Sequence, residues 1–232
     1  KAQLNASMED VMAARIKRAE SKGRPTPTWI DAKAFLNDPR ANPAVAWPIH
    51  VFDCCPISDG ASCLLLVGED IAKNFTDDPL YVAGMGQGSG RGLHAAQDLT
   101  SFEATRYAAH EAYEMSGLGP KDIQFAEVHD CFSIAELLHI EDLGFFKAGE
   151  GYKAVEEGHT RLEGSKPINT SGGLKCKGHP VGATGAAQLV EVWTQLRQQA
   201  GQRQVSGDLK FGAAHNLGGT GGTSTFTILE RR

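Results

Sequence analysis

Three histidines and one cysteine carry the chemistry this sequence can do. His179 stands inside Gly-Gly-Leu-Lys-Cys-Lys-Gly-His-Pro-Val-Gly-Ala-Thr-Gly, residues 172–185. His129 and Cys131 share the stretch His-Asp-Cys-Phe, residues 129–132, and His215 opens His-Asn-Leu-Gly-Gly, residues 215–219. Imidazole titrates near neutrality, and a thiol is the best side-chain nucleophile or soft acid/base at that pH. The set suits thioester or acyl chemistry better than metal binding. A metal site usually brings a carboxylate or a second histidine at helical i, i+4 spacing, and none is evident. Taken singly, each histidine reads as a hydrogen-bonded core residue, and the glycine-rich bend as a tight turn. The chemical reading gains because all three fall at the same kind of place.

That place is set by the elements around them. Residues 123–128 read as a strand that ends at His129, and residues 209–214 as a strand followed by a turn at 215–219. Residues 186–196 read as a long helix reaching about Ala200, so His179 precedes a helix N-terminus. Unpaired N–H groups and partial positive charge gather there, which favours a thiolate, an oxyanion or a phosphate. In α/β sheets, chemistry collects beyond the carboxyl ends of strands. Residues 101–115 and 133–143 read as helices stopped by Gly117 and Gly144, residues 145–166 as a glycine-rich loop, and residues 80–86 and 223–229 as strands. Strands alternating with helices imply an α/β layered domain.

Upstream the pattern is weaker. Ser7-Met8-Glu9-Asp10 reads as a helix start, the helix running to about Ala19, and residues 31–37 as one more short helix. Residues 38–50 hold Pro39, Pro43 and Pro48 and read as irregular; residues 1–46 lack apolar alternation and read as a lid resting on something else. Residues 61–67 form an apolar run between turn residues 56–60 and Gly68, which reads as a strand buried on both faces; residues 69–75 read as a short helix.

Composition bounds the function. The 232 residues are 41% hydrophobic and 22% charged, as in an ordinary globular chain. A net charge of −5 argues against nucleic acid as a partner, and no apolar run is long enough to predict a membrane span. No signal peptide is visible, and the five cysteines fit no zinc spacing; they read as reduced thiols of a cytoplasmic protein. The chain opens without methionine and reads as a fragment or a processed product.

Several long motifs together resemble one family. They are Glu-Val-His-Asp-Cys-Phe at 127–132, Asn-Thr-Ser-Gly-Gly at 169–173, Gly-His-Pro-Val-Gly-Ala-Thr-Gly at 178–185 and His-Asn-Leu-Gly at 215–218. Asp-Cys-Cys-Pro-Ile-Ser-Asp-Gly-Ala at 53–61 and the surroundings of Asn5 add to them. The chain resembles the thiolases, most nearly the sterol-carrier-protein-type branch with its acetyl-CoA acetyltransferases. The resemblance implies a thiolase-like α/β fold built of two halves, each a mixed five-stranded sheet with helices on both faces. Residues 79–232 would be the C-terminal half, 51–78 the end of an N-terminal half that is mostly absent, and 1–50 a remnant of the loop region.

The family's nucleophilic cysteine lies in that absent half. No residue here matches it, and Cys54 and Cys55 lie in the wrong motif. The implied reaction is a Claisen condensation, or thiolytic cleavage of a 3-ketoacyl-CoA, with a coenzyme A thioester as substrate, no covalently bound cofactor and no metal. His179 would take the proton of the missing thiol. Cys131 would be the acid/base at the α-carbon or the departing thiol. His129 would bind the thioester oxygen. His215, with cofactor-binding Gly218 and Gly219, stands where other thiolases keep a Cys-x-Gly motif. Lys175 and Lys177 read as a solvated pair, with coenzyme A phosphates as the alternative. The family also implies a role in lipid metabolism, a homo-oligomer (dimer or tetramer), a small OB-fold/zinc-ribbon partner subunit, and neither nucleic acid nor membrane as partner. Two other readings stay open: a non-catalytic coenzyme A-binding or regulatory subunit, and a retro-aldol lyase of the same fold.

Overall fold

A computed structural model describes residues 8–232. The helix-start reading at Ser7 and the resemblance at Asn5 fall outside the described residues. The first elements are helices α1 (Met8–Ser21) and α2 (Ala32–Asn37), then strands β1 (Ala44–Ala46) and β2 (Ile49–His50). Asp31 starts α2 by accepting the Ala34 N–H at 2.6 Å. Phe35 is fully buried against Trp29 and Phe52, with the Arg15 guanidinium 5.4 Å from its ring centre. The early region is therefore more than a lid: it folds around one phenylalanine, and its proline-rich part holds a small antiparallel ladder.

The main sheet is built from β3 (Leu80–Ser89), β4 (Phe125–Glu127), β5 (Phe211–Gly218) and β6 (Thr223–Arg231). Its order is β3-β6-β5-β4; β6 runs antiparallel to both neighbours, and β4 and β5 are parallel. Helices α3 (Glu103–Ser116), α4 (Ser133–Asp142), α5 (Gly151–Glu156), α6 (Gly173–Lys177) and α7 (Thr184–Leu196) complete the fold. Side chains alternate across the sheet. Ala126, Ala213, Phe226 and Ile228 pack with Ala108, Ala112 and Ile140 of α3 and α4. Phe125, Ala214 and Leu229 pack with Val192 and Leu196 of α7. The sheet thus carries α3 and α4 on one face and α7 on the other, the expected α/β architecture.

Four expectations are corrected. The sheet has four strands among the described residues, where five were expected. The fifth position holds one parallel bridge, Ile168 to Ala126, because Asn169 at φ +54° leaves the extended conformation at once. Residues 61–67 form no strand; no described strand lies beside them, and Leu65 and Leu66 are 70% and 78% exposed. Residues 215–218 are not a turn but continue β5, paired with β6 through Gly218 opposite Thr223. The loop at 145–166 contains α5, whose first N–H groups are taken up by Glu141, at 2.7 Å from Gly151. No helix among the described residues is long and apolar enough to cross a membrane.

Candidate active site

The site forms where the loop after β4 meets the bend between α6 and α7. Val128 donates its N–H to Asn169 Oδ1 at 2.8 Å, and Asn169 donates its amide to Glu136 at 3.0 Å, so one asparagine ties the end of β4 to α4. Glu127 is fully buried and accepts from the Ser171 N–H (3.0 Å) and hydroxyl, with Lys177 Nζ at 3.5 Å. Asp130 accepts the N–H groups of Leu174 (2.7 Å) and Lys175 (3.3 Å), the opening turn of α6. Gly173 sits at φ +62°, and a Cβ there would meet the Asp130 carboxylate at 2.2 Å. The glycines of the bend thus let the His-Asp-Cys loop hold the segment that carries His179.

Residues 53–58 close the site from a third side. Cys55 donates its N–H to Cys131 O at 2.9 Å, and Pro56 O accepts the His179 N–H at 3.1 Å. Ser133 donates to Asp53 Oδ1 at 2.7 Å, and Lys175 Nζ donates to Phe52 O. Gly178, at φ +88°, leaves no room for a Cβ beside Ser58 Oγ. Lys175 and Lys177 are therefore engaged internally, not a solvated pair.

Neighbours set the protonation of each group. His179 Nδ1 lies 2.6 Å from Thr184 Oγ1, and that hydroxyl donates to Pro180 O at 3.1 Å. The single hydroxyl proton is committed, so the imidazole donates from Nδ1 and keeps a lone pair on Nε2. Burial lowers the His179 pKa, which favours this neutral form. The His129 ring stands edge-on to it, centroids 4.9 Å apart. Burial, then His179, holds His129 at about 4. Asn216 Nδ2 lies 3.2 Å from His129 Nδ1. Burial, then Cys55, pushes the Cys131 thiol up to about 11, so it keeps its proton at neutral pH.

The structure brings His129, His179 and Cys131 around the Cys55–Pro56 segment. His215 meets this group only from behind, its Nδ1 3.5 Å from the His129 backbone N–H. His215 is fully buried on the α3 face, its Nε2 2.9 Å from Ser224 Oγ and 3.2 Å from Thr105 Oγ1, its ring 4.3 Å from that of His139. His129 and His179 are in ring contact, and Cys131 joins them through its backbone bond to the Cys55–Pro56 segment. The strand sets His215 apart: neighbours in β5 face opposite sides, and Asn216 faces His129. Gly218 ends β5 and Gly219, exposed, opens a turn held by the 90–93 loop through Leu93 N–H to Thr220 O at 2.7 Å. Asn216, Thr184, Gln188 and the 53–58 segment were missed as site residues. Only strand alternation past residue 214 could have singled out Asn216.

Comparison with known proteins gives a consistent picture. Residues 87–231 match the family model of the thiolase C-terminal domain-like proteins. The chain is 52% identical over 188 residues to an acetyl-CoA acetyltransferase of Methanothermobacter thermautotrophicus, covering 81% of this chain and 49% of that protein. It is 41% identical over 188 residues to sterol carrier protein 2 of Bos taurus, covering 78% of this chain and 34% of that protein. Among solved structures, the Ltp2-ChsH2(DUF35) aldolase matches with a TM-score of 0.74 at 25% identity, over 99% of this chain and 57% of that one. The chain spans about half the length of the acetyltransferase it matches and a third of the sterol carrier protein.

Proposed function

This chain belongs to the thiolase family, and from that premise we propose that it is the proton-handling half of an acyltransferase acting on coenzyme A thioesters. The observation that carries the reading is the His179 contact: Nδ1 lies 2.6 Å from Thr184 Oγ1, whose proton goes to Pro180 O, so a neutral imidazole there keeps its lone pair on Nε2. Such a group takes a proton from a cysteine thiol. That cysteine comes from outside these 232 residues. In condensation its thiolate attacks the thioester carbon while His129 donates to the oxygen that gains charge; the carbon–sulfur bond then breaks, and coenzyme A leaves as the thiol with the proton His179 took. In the cleavage direction the thiolate attacks the 3-keto carbon instead, and Cys131 gives its proton to the α-carbon as the carbon–carbon bond breaks. In condensation it must first lose that proton.

The test mixes this chain with the nucleophile-bearing half and an acyl-CoA, and follows acylation by mass spectrometry. Acyl-enzyme should form on the other half only, and only when this chain is present. Acylation of this chain alone, at Cys54, Cys55 or Cys131, would overturn the reading. The structural likeness to the Ltp2-ChsH2(DUF35) aldolase over nearly the whole chain favours a second reading, a carbon–carbon lyase working with a DUF35-type partner. A lyase would not need the Cys131 thiol, so activity that survives Cys131→Ala would select it. Assembly as a homo-oligomer, with or without such a partner, and a cytoplasmic place belong to the same proposal.

A further inference from the structure

The chemistry just proposed asks two adjacent imidazoles for opposite services. His179 must accept a proton, while His129 must offer one to an oxygen. Neutral imidazole has one N–H, and which nitrogen carries it is decided by the hydrogen bond made at the other. For His179 that partner is Thr184.

We propose that Asn216 and Gln188 are positioning residues that fix His129 as the Nε2–H tautomer, a hydrogen-bond donor and not a base. Asn216 projects from β5 toward α7, and Gln188 lies in the first turns of α7, fully buried. Asn216 Nδ2 stands 2.9 Å from Gln188 Oε1 and 3.2 Å from His129 Nδ1. A side-chain NH2 has two protons, and each has one acceptor here. With Nδ1 accepting, the proton of His129 resides on Nε2. In this orientation Gln188 Oε1 accepts from Asn216, and an Asn216 turned over alone would face it carbonyl to carbonyl. A backbone tie from the His129 N–H to His215 Nδ1 at 3.5 Å restrains the same residue. His215 thereby supports the loop from behind the sheet. That a donor is wanted at His129 rests on the proposed acyl transfer; the tautomer itself does not.

Nitrogen-15 NMR of the imidazoles of the full chain tests this without any substrate. The His129 signals are assigned by their loss in His129→Gln. In the wild type, Nε2 should give the pyrrole-type resonance and Nδ1 the pyridine-type. Gln188→Glu, which presents only oxygens to Asn216, should leave that pattern unchanged. Asn216→Asp, an isosteric acceptor, should swap the two resonances and raise the His129 pKa. A wild-type His129 protonated on Nδ1 would overturn the proposal, since it would mean that both amides are turned over. So would an Asn216→Asp spectrum identical to wild type. The wild-type spectrum decides even if a variant fails to fold. A chain with the Nε2–H form that never supports acyl transfer would refute the function and leave the positioning standing.

Discussion

Cys131 and His179 are both half-open to the cleft, yet their surroundings give them different duties. Burial keeps the Cys131 proton on sulfur at neutral pH, whereas the Nδ1 bond to Thr184 keeps the His179 lone pair free. In the reconstituted enzyme, Cys131→Ala should cut turnover by about 10²–10⁴-fold, the usual loss for a positioned proton-transfer group. It should leave acylation of the other half's thiol intact, and His179→Ala should slow that acylation itself. Intact mass of the trapped acyl-enzyme against steady-state turnover separates the two. At this scale the sequence was readable where a motif fixes a loop, as at residues 129–132 and 178–185. It was not readable at 215–216. Asparagine and paired glycines after an apolar run look like turn residues, but the ladder to β6 carries on through them. The continued pairing of His215 with Phe226 and Asn216 with Thr225 decides which of two neighbours meets His129.

The pairing of β3 with α3 shows the same limit from another side. Gly84, Gly86 and Gly88 alternate along the strand, and a Cβ at each would come within 2.3, 2.1 and 2.0 Å of Ala112 O, Ala108 O and Ala104 O. The glycines let the helix backbone lie directly on the strand. Read from the sequence the strand stops at residue 86, short of Gly88, because glycine in a strand signals a bend until a partner backbone is known. Gly86→Ala should destabilise the fold by roughly 1–3 kcal/mol through overpacking, measured by urea unfolding. The α3–α4 contact holds a second test. Burial keeps His139 at about 3, so the folded chain stays neutral there while the unfolded chain protonates near 6.5. Between those values the unfolded state binds more protons, and stability falls as pH falls. His139→Gln removes this one group. The stability of wild type relative to the variant should drop by up to about 1.4 kcal/mol per pH unit from pH 6.5 toward 4. Raised pKa values at Glu127 and Glu136 act in the opposite sense, but they are common to both proteins and cancel in the difference. Parallel curves would show that His139 is not held neutral.

Across the whole molecule, apolar surface is spread unevenly. Ile57 is fully exposed, and Leu65, Leu66 and Phe75 lie open along the same stretch. Exposed large apolar side chains gathered in one stretch of chain are the raw material of an interface. The chain should associate with itself or with its other half at micromolar concentration, or else precipitate. A monodisperse monomer in light scattering would count against this. The α/β alternation of the C-terminal part was legible because each strand and helix there buries its own face within the chain. Residues 61–67 misled for the converse reason: their apolar run has the composition of a buried strand, but it pairs with no strand among the described residues and leaves Leu65 and Leu66 exposed.

The stitching of residues 52–56 to the two histidine loops also sets an order of events. The β5–β6 hairpin closes over a four-residue turn, whereas Ser133 reaches Asp53 across 80 positions and Lys175 reaches Phe52 across 123. The entropy of ring closure grows with the length enclosed, and it must be met before such contacts give anything back. The β5–β6 hairpin can therefore condense first, whereas the β4–β5 and β3–β6 pairings close rings comparable to those of the two contacts. The cleft is finished only when the early segment joins these long-range closures, so it is completed after the hairpin.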